Sequence, residues 1–169
     1  MKNKISNAFI YLFAFTVFLS AFSSFVYASE NTTELSVISA NISGIPAFLT
    51  KYDRDVPNAQ KTLGKMLNES GYDIICVQED FYYHDEFSGE MTNYRYTTIS
   101  IDNVPFNDGL NIFSKYPIYN VERVTWKKHN GIFFDGADEF SSKGFIKCTV
   151  DVNGILIDLY NLHCDAYRT

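Results

Sequence analysis

The chain has 169 residues, 20 of them acidic and 14 basic, for a formal net charge of −6. That length allows at most one ordinary domain. The acidic balance counts against a protein that coats duplex nucleic acid with a basic stripe, although a bound metal ion can supply the positive charge that phosphate needs.

Lys2 and Lys4 precede an uncharged apolar stretch, Ala8 to Phe22, followed by the small-residue pattern Val26-Tyr27-Ala28. This layout predicts a secretory signal peptide over 1–28, cleaved after Ala28 to leave 29–169, secreted or periplasmic; an uncleaved membrane anchor is the alternative. Cleavage would move the net charge from −6 to about −8. The aromatic share of 17% suits a core built on sheets, where Tyr and Phe pack against a pleated surface.

Leu35 to Ala40 predicts a first strand, ended by the turn-forming Asn41-Ile42-Ser43-Gly44-Ile45-Pro46. A helix is expected from Pro57 to Ser70: Pro57 suits its first turn, Gly71 its stop, and Ala59, Leu63, Met66 and Leu67 share one face. Ile74 to Val77 is an unbroken apolar run, read as a strand buried on both faces, which stops at Gln78, Glu79 and Asp80. Strand, covering helix and strand form a crossover unit with parallel strands, so Asn41 and Glu79 come to the same sheet edge, across a crevice.

The remainder reads as strands and turns: Tyr94–Ser100, Gly109–Ser114, Val121–Lys128, Phe145–Val152 and Ile155–His163. A polar loop covers Asn130 to Ser142, and Asn153-Gly154 marks a tight hairpin. Along the last strand Ile155, Ile157, Leu159, Asn161 and His163 fall on one face, which predicts a face passing from core to surface. Cys76 is expected in the core, while spacing leaves open whether Cys148 and Cys164 pair.

Asn41, Glu79 and His163 thus share one position type, the C-terminal end of a strand. A carboxylate is a hard oxygen ligand for magnesium or calcium, an amide orients without adding charge, and a histidine can donate to a phosphoryl oxygen. Together they suit metal-assisted cleavage of a phosphate ester.

Five segments occur in a recognisable order: Ser39-Ala40-Asn41, Val77-Gln78-Glu79, Gly109 to Ile118, Lys143-Gly144-Phe145, and Tyr160 to Ala166. In this order the sequence resembles the endonuclease/exonuclease/phosphatase, or deoxyribonuclease I-like, superfamily, and looks closest to its secreted, sphingomyelinase-like members. The resemblance implies an α/β fold with two packed mixed β-sheets flanked by helices, a four-layer sandwich, here incomplete. It implies a magnesium-dependent phosphoric ester hydrolase, with calcium or manganese as alternative metals. Glu79 is then the principal metal ligand, Asn41 orders the metal site, and His163 contacts the scissile phosphate. Lys143, Asn111, His84 and Asp165 are candidate substrate contacts, each with an ordinary strand-start, turn or loop role as its alternative.

The resemblance also implies an Asp-x-Asn pair and a late Ser-Asp-His-type ending, and neither follows His163 in the six residues to Thr169. The 169-residue chain is therefore expected to be weakly active at best and unstable alone. The favoured substrate is a phospholipid at a membrane surface or another small phosphate ester, with nucleic acid less favoured and no protein partner predicted. The competing expectations are a secreted nuclease and a non-catalytic remnant or binding module.

Overall fold

A computed structural model describes residues 33–47, 55–98, 108–127 and 143–164. The signal-peptide stretch, the 130–142 loop and Asp165 lie outside them. The described elements run β1 (Val37–Asn41), α1 (Val56–Glu69), β2 (Ile74–Gln78), α2 (His84–Ser88), β3 (Tyr96–Thr97), β4 (Asn111–Ser114), β5 (Ile118–Thr125), β6 (Gly144–Val152) and β7 (Ile155–Leu162).

They form two sheets. The first is mixed, in the order β1-β2-β4-β3, and the second is antiparallel, in the order β5-β6-β7. β1 and β2 are parallel, with Asn41 opposite Gln78, as the crossover reading requires. Every residue of β2 is buried, and the strand's alternation divides its apolar side chains between two cores. Ile75 and Val77 face the helices with Leu67, Phe87, Met91 and Phe113. Ile74 and Cys76 face the second sheet with Ile112, Ile146, Cys148 and Val150. Full burial of a Val or Ile side chain stabilises by about 1.5–3 kcal/mol, so these two clusters supply the main adhesion between layers. Of the expected layering, the described residues hold three layers: helices, sheet and sheet.

α1 starts where its local chemistry places it. Asp55 accepts a hydrogen bond from Asn58 N at 3.3 Å, and Pro57 occupies the first turn. Gly71, at φ 82°, adopts the left-handed conformation that ends the helix. The buried face differs from the expected one. Leu63 and Leu67 do pack inward, but Ala59 and Met66 are exposed, and Val56, Gln60 and Gly64 complete the stripe. Gln60 is buried because its Nε2 donates to the Ile42 carbonyl at 2.6 Å. Gly64 is there because a Cβ would run into the Phe87 carbonyl. Gly64→Val should therefore destabilise the fold by about 1–3 kcal/mol through overpacking, while Met66→Lys stays within about 0.5 kcal/mol; urea unfolding of both variants checks this.

The ends of β2 are tied differently. At the N-terminal end Asp73 accepts from Ser36 N and Ser36 Oγ at 2.9 and 2.7 Å, and lies 3.3 Å from Lys115 Nζ. The Ser36 hydrogen bonds lower the Asp73 pKa despite partial burial, with Lys115 adding to the effect. In the second sheet, Asn153 and Gly154 turn with φ of 55° and 92°, the conformation anticipated for the hairpin. All three cysteines are free. Cys148 lies in the inter-sheet core opposite Leu159, whereas Cys164 is exposed beyond the end of β7, so these two do not pair here.

Candidate active site

The loops leaving β1 and β2 continue to pair beyond the strands. Ile42 N donates to Gln78 O at 2.9 Å, Gly44 N to Glu79 O at 2.8 Å, and Tyr82 N to Gly44 O at 3.2 Å. Gly44 is the residue that permits this approach: a Cβ there would lie 2.6 Å from the Glu79 carbonyl oxygen. Asn41 closes its own turn by accepting from Ser43 N at 3.0 Å. Glu79 has φ 59°, an uncommon conformation for a residue with a side chain.

From this turn the Glu79 carboxylate reaches across to the second sheet, where Oε1 lies 3.6 Å from Nε2 of His163. That is longer than a hydrogen bond, yet close enough for the ring to act on the carboxylate. Both side chains are largely buried, at 19% and 10% exposure. The nearby His163 ring holds the Glu79 pKa below the ordinary glutamate value. Burial opposes this, while the Asn41 side chain and the charge of Lys143 add to it. The result is a part-buried carboxylate that keeps its charge.

His163 is fixed through its backbone, donating to Gly144 O and accepting from Trp126 Nε1, each at 2.9 Å. Its ring Nδ1 is buried without a hydrogen-bond partner among the described residues. Lys143, expected either to contact phosphate or to be an exposed strand start, is 7% exposed, and its charge acts on Glu79. The polar end of the β7 face is not a passage to solvent either: Asn161 is 2% exposed and His163 9%. Asn161 stays inside because its groups are satisfied. Its Oδ1 accepts from Gln78 Nε2 at 2.6 Å, and its Nδ2 donates to the Val77 and Asn111 carbonyls at 2.8 and 3.1 Å.

Asn41, Glu79, Lys143 and His163 are thus brought together, but Asn111 and His84 join a different cluster. Asn111 shares its face of β4 with Phe113 and pairs with Val77, which turns it towards the helices. Its Nδ2 and the His84 Nδ1 both donate to Asp80 Oδ2 at 2.7 Å. Asp80, not singled out from sequence, is 1% exposed and is the hub of this second group. Burial works against a charged His84 ring, but the hydrogen bond and charge of Asp80, with Asp85, outweigh it and raise the His84 pKa. Stability from this pair is complete below the ordinary histidine value and is lost as pH rises through the raised folded one. The gap in stability between wild type and His84→Gln should accordingly shrink as pH rises above the ordinary histidine value of about 6.5, as read by urea midpoints.

Magnesium is the metal that the fold family implies, and the donor set fits it. A charged, part-buried carboxylate with an amide beside it is enough for an ion that retains several waters and takes further oxygens from phosphate. Among the described residues no group of three or more His, Cys, Asp or Glu is placed to hold a metal.

No family model matches the sequence. A sphingomyelinase of Mycobacterium bovis is 30% identical over 140 residues, covering 79% of this chain and 27% of that protein. Among solved structures, a beta toxin variant from Staphylococcus aureus with bound magnesium ions superposes with a TM-score of 0.63 at 20% identity, over 81% of this chain and 51% of that one. Sphingomyelinase C from Streptomyces griseocarneus gives 0.61 at 21% identity, over 82% and 51%. The chain therefore spans about a quarter of the length of the curated relative and about half of these structures. With the two-sheet architecture and the order of its segments, the chain belongs to the deoxyribonuclease I-like endonuclease/exonuclease/phosphatase superfamily.

Proposed function

We propose that the chain contributes the metal- and phosphate-binding side of an exported, magnesium-dependent phosphodiesterase-type hydrolase, acting on a phospholipid or another small phosphate ester. The observation that carries this reading is the Glu79 carboxylate, kept charged at the meeting point of both sheets and 3.6 Å from His163. The sphingomyelinase relatives support the substrate class.

Glu79 and Asn41 would hold the magnesium ion. When bound, the ion supplies Lewis-acid polarisation of a phosphoryl oxygen and neutralises its charge. His163, with its backbone pinned to β6, donates a hydrogen bond to a phosphoryl oxygen, an interaction that strengthens as charge develops there. Lys143 adds positive potential that favours the anionic ester. Burial around Glu79 and His163 keeps the local dielectric low, which makes each of these interactions stronger than it would be in water.

The test is magnesium-dependent release of phosphocholine from sphingomyelin vesicles, run beside a plasmid-nicking assay. Slow release that disappears in Glu79→Gln, with the plasmid intact, is the expected result. Nicking without lipid hydrolysis would select the nuclease reading. Equal behaviour of wild type and Glu79→Gln in magnesium titrations would leave a non-catalytic module.

A further inference from the structure

The proposed chemistry makes no use of Asp80, yet its position is costly. Its Oδ1 is buried with no hydrogen-bond partner among the described residues, and taking a carboxylate out of water is unfavourable unless it is fully paired. The residue before it carries a second cost, because the left-handed backbone at Glu79 is strained for a residue with a side chain. Two adjacent unfavourable features persist only where the surroundings over-determine them.

The surroundings do so from both sides of the Glu79–Asp80 peptide. On one side Gly44 N donates to Glu79 O at 2.8 Å; on the other Asp80 N donates to Gly109 O at 3.0 Å. The two side chains then part. Glu79 goes to His163 of the second sheet, and Asp80 goes to Asn111 and His84 on the helix side of the first. Arg123 of β5 extends the anchor: Nη2 donates to Asn111 Oδ1 at 3.2 Å, while Nη1 reaches both Asp108 oxygens at 2.6 and 2.7 Å and Leu110 O at 2.9 Å.

We infer that Asp80 is a positioning residue: clamped by His84, Asn111 and Gly109, it locks the left-handed turn at Glu79 and thereby aims the Glu79 carboxylate at the metal position and at His163. The functional half of this inference rests on the reading of Glu79 as a metal ligand; the conformational half does not. Because Arg123 belongs to the second sheet, the aim of Glu79 is also tied to the packing of the two sheets.

Two readouts on isotope-labelled protein keep these halves apart. The first is the Glu79 Cα shift and the amide–Hα coupling, which report its backbone angle by NMR. The second is affinity for manganese, used as a paramagnetic probe. In folded Asp80→Ala, Glu79 should leave the left-handed region and manganese affinity should fall by about tenfold or more. Asp73→Ala, at the other end of β2, should lower stability and move neither readout. If Asp80→Ala does not fold, Asp80→Leu, which keeps the branched shape and removes both oxygens, is read the same way. Unchanged Glu79 signals in a folded Asp80 variant overturn the clamp. Altered Glu79 signals with no manganese binding by the wild type would sustain the clamp and remove the metal reading instead.

Discussion

Asn161→Ala should lower the unfolding free energy by about 3 kcal/mol, visible as a lower urea midpoint at unchanged slope. The size follows from what the side chain touches. Asn161 sits on β7 and its amide is used entirely on the other sheet: it accepts from Gln78 and donates to the carbonyls of Val77 and Asn111, which face each other across β2 and β4. Truncation removes three buried hydrogen bonds between the sheets and gains no compensating contact; the two carbonyls remain paired across β2 and β4, so each lost bond costs about 0.5–1.5 kcal/mol. Gln78 keeps one, since its Nε2 also donates to Ser39 Oγ at 3.0 Å, which puts the expected loss below the full sum. Asn161→Asp should be worse, because it replaces both donations with negative charge facing two carbonyl oxygens. A loss under about 1 kcal/mol in the alanine variant would mean that this amide does not join the sheets.

Glu79→Gln should remove saturable magnesium binding, a larger effect than the roughly 10–100-fold that follows from disturbing residues around a metal ligand. The substitution keeps shape and length, so the contacts of the turn with Gly44 and Gly109 remain, and folding stability should change by about 1 kcal/mol or less. What disappears is the charge that His163, Asn41 and Lys143 together maintain. Calorimetric titration of both proteins with magnesium decides the matter: equal affinities would exclude Glu79 from the metal site.

The features legible in the sequence are those in which one residue type has one physical use. Ile74 to Val77 reads as a doubly buried strand and Asn153-Gly154 as a tight turn, and the parallel pairing of β1 with β2 follows from the helix between them. The convergence of Asn41, Glu79 and His163 was readable for the same reason, as each closes a strand. Periodicity failed where a polar or small residue replaces an apolar one at a contact. Gln60 and Gly64 hold the inner face of α1 through a hydrogen bond and a close approach, so counting apolar residues shifted the stripe towards Ala59 and Met66. The buried end of β7 is not legible in the sequence because Asn161 finds partners on a strand more than eighty positions earlier. The role of Asp80 is hidden in the sequence because it depends on Asn111 and His84, which no local pattern links. The acidic pair at the end of β2 offered one signal: two successive carboxylates beside a buried strand cannot both face solvent in the same direction.

The two cysteines enclosed between the sheets make the sandwich a clock for its own opening. Burial pushes the Cys76 thiol up to about 12, with Cys148 adding to the effect, and raises Cys148 to about 11. Neither carries appreciable thiolate near neutral pH, and neither is exposed to reagent. Cys164 is exposed. Pulsed alkylation of the native chain should therefore label one thiol quickly and the other two only as fast as the layers part, so that counting labels over time measures how often the two sheets separate.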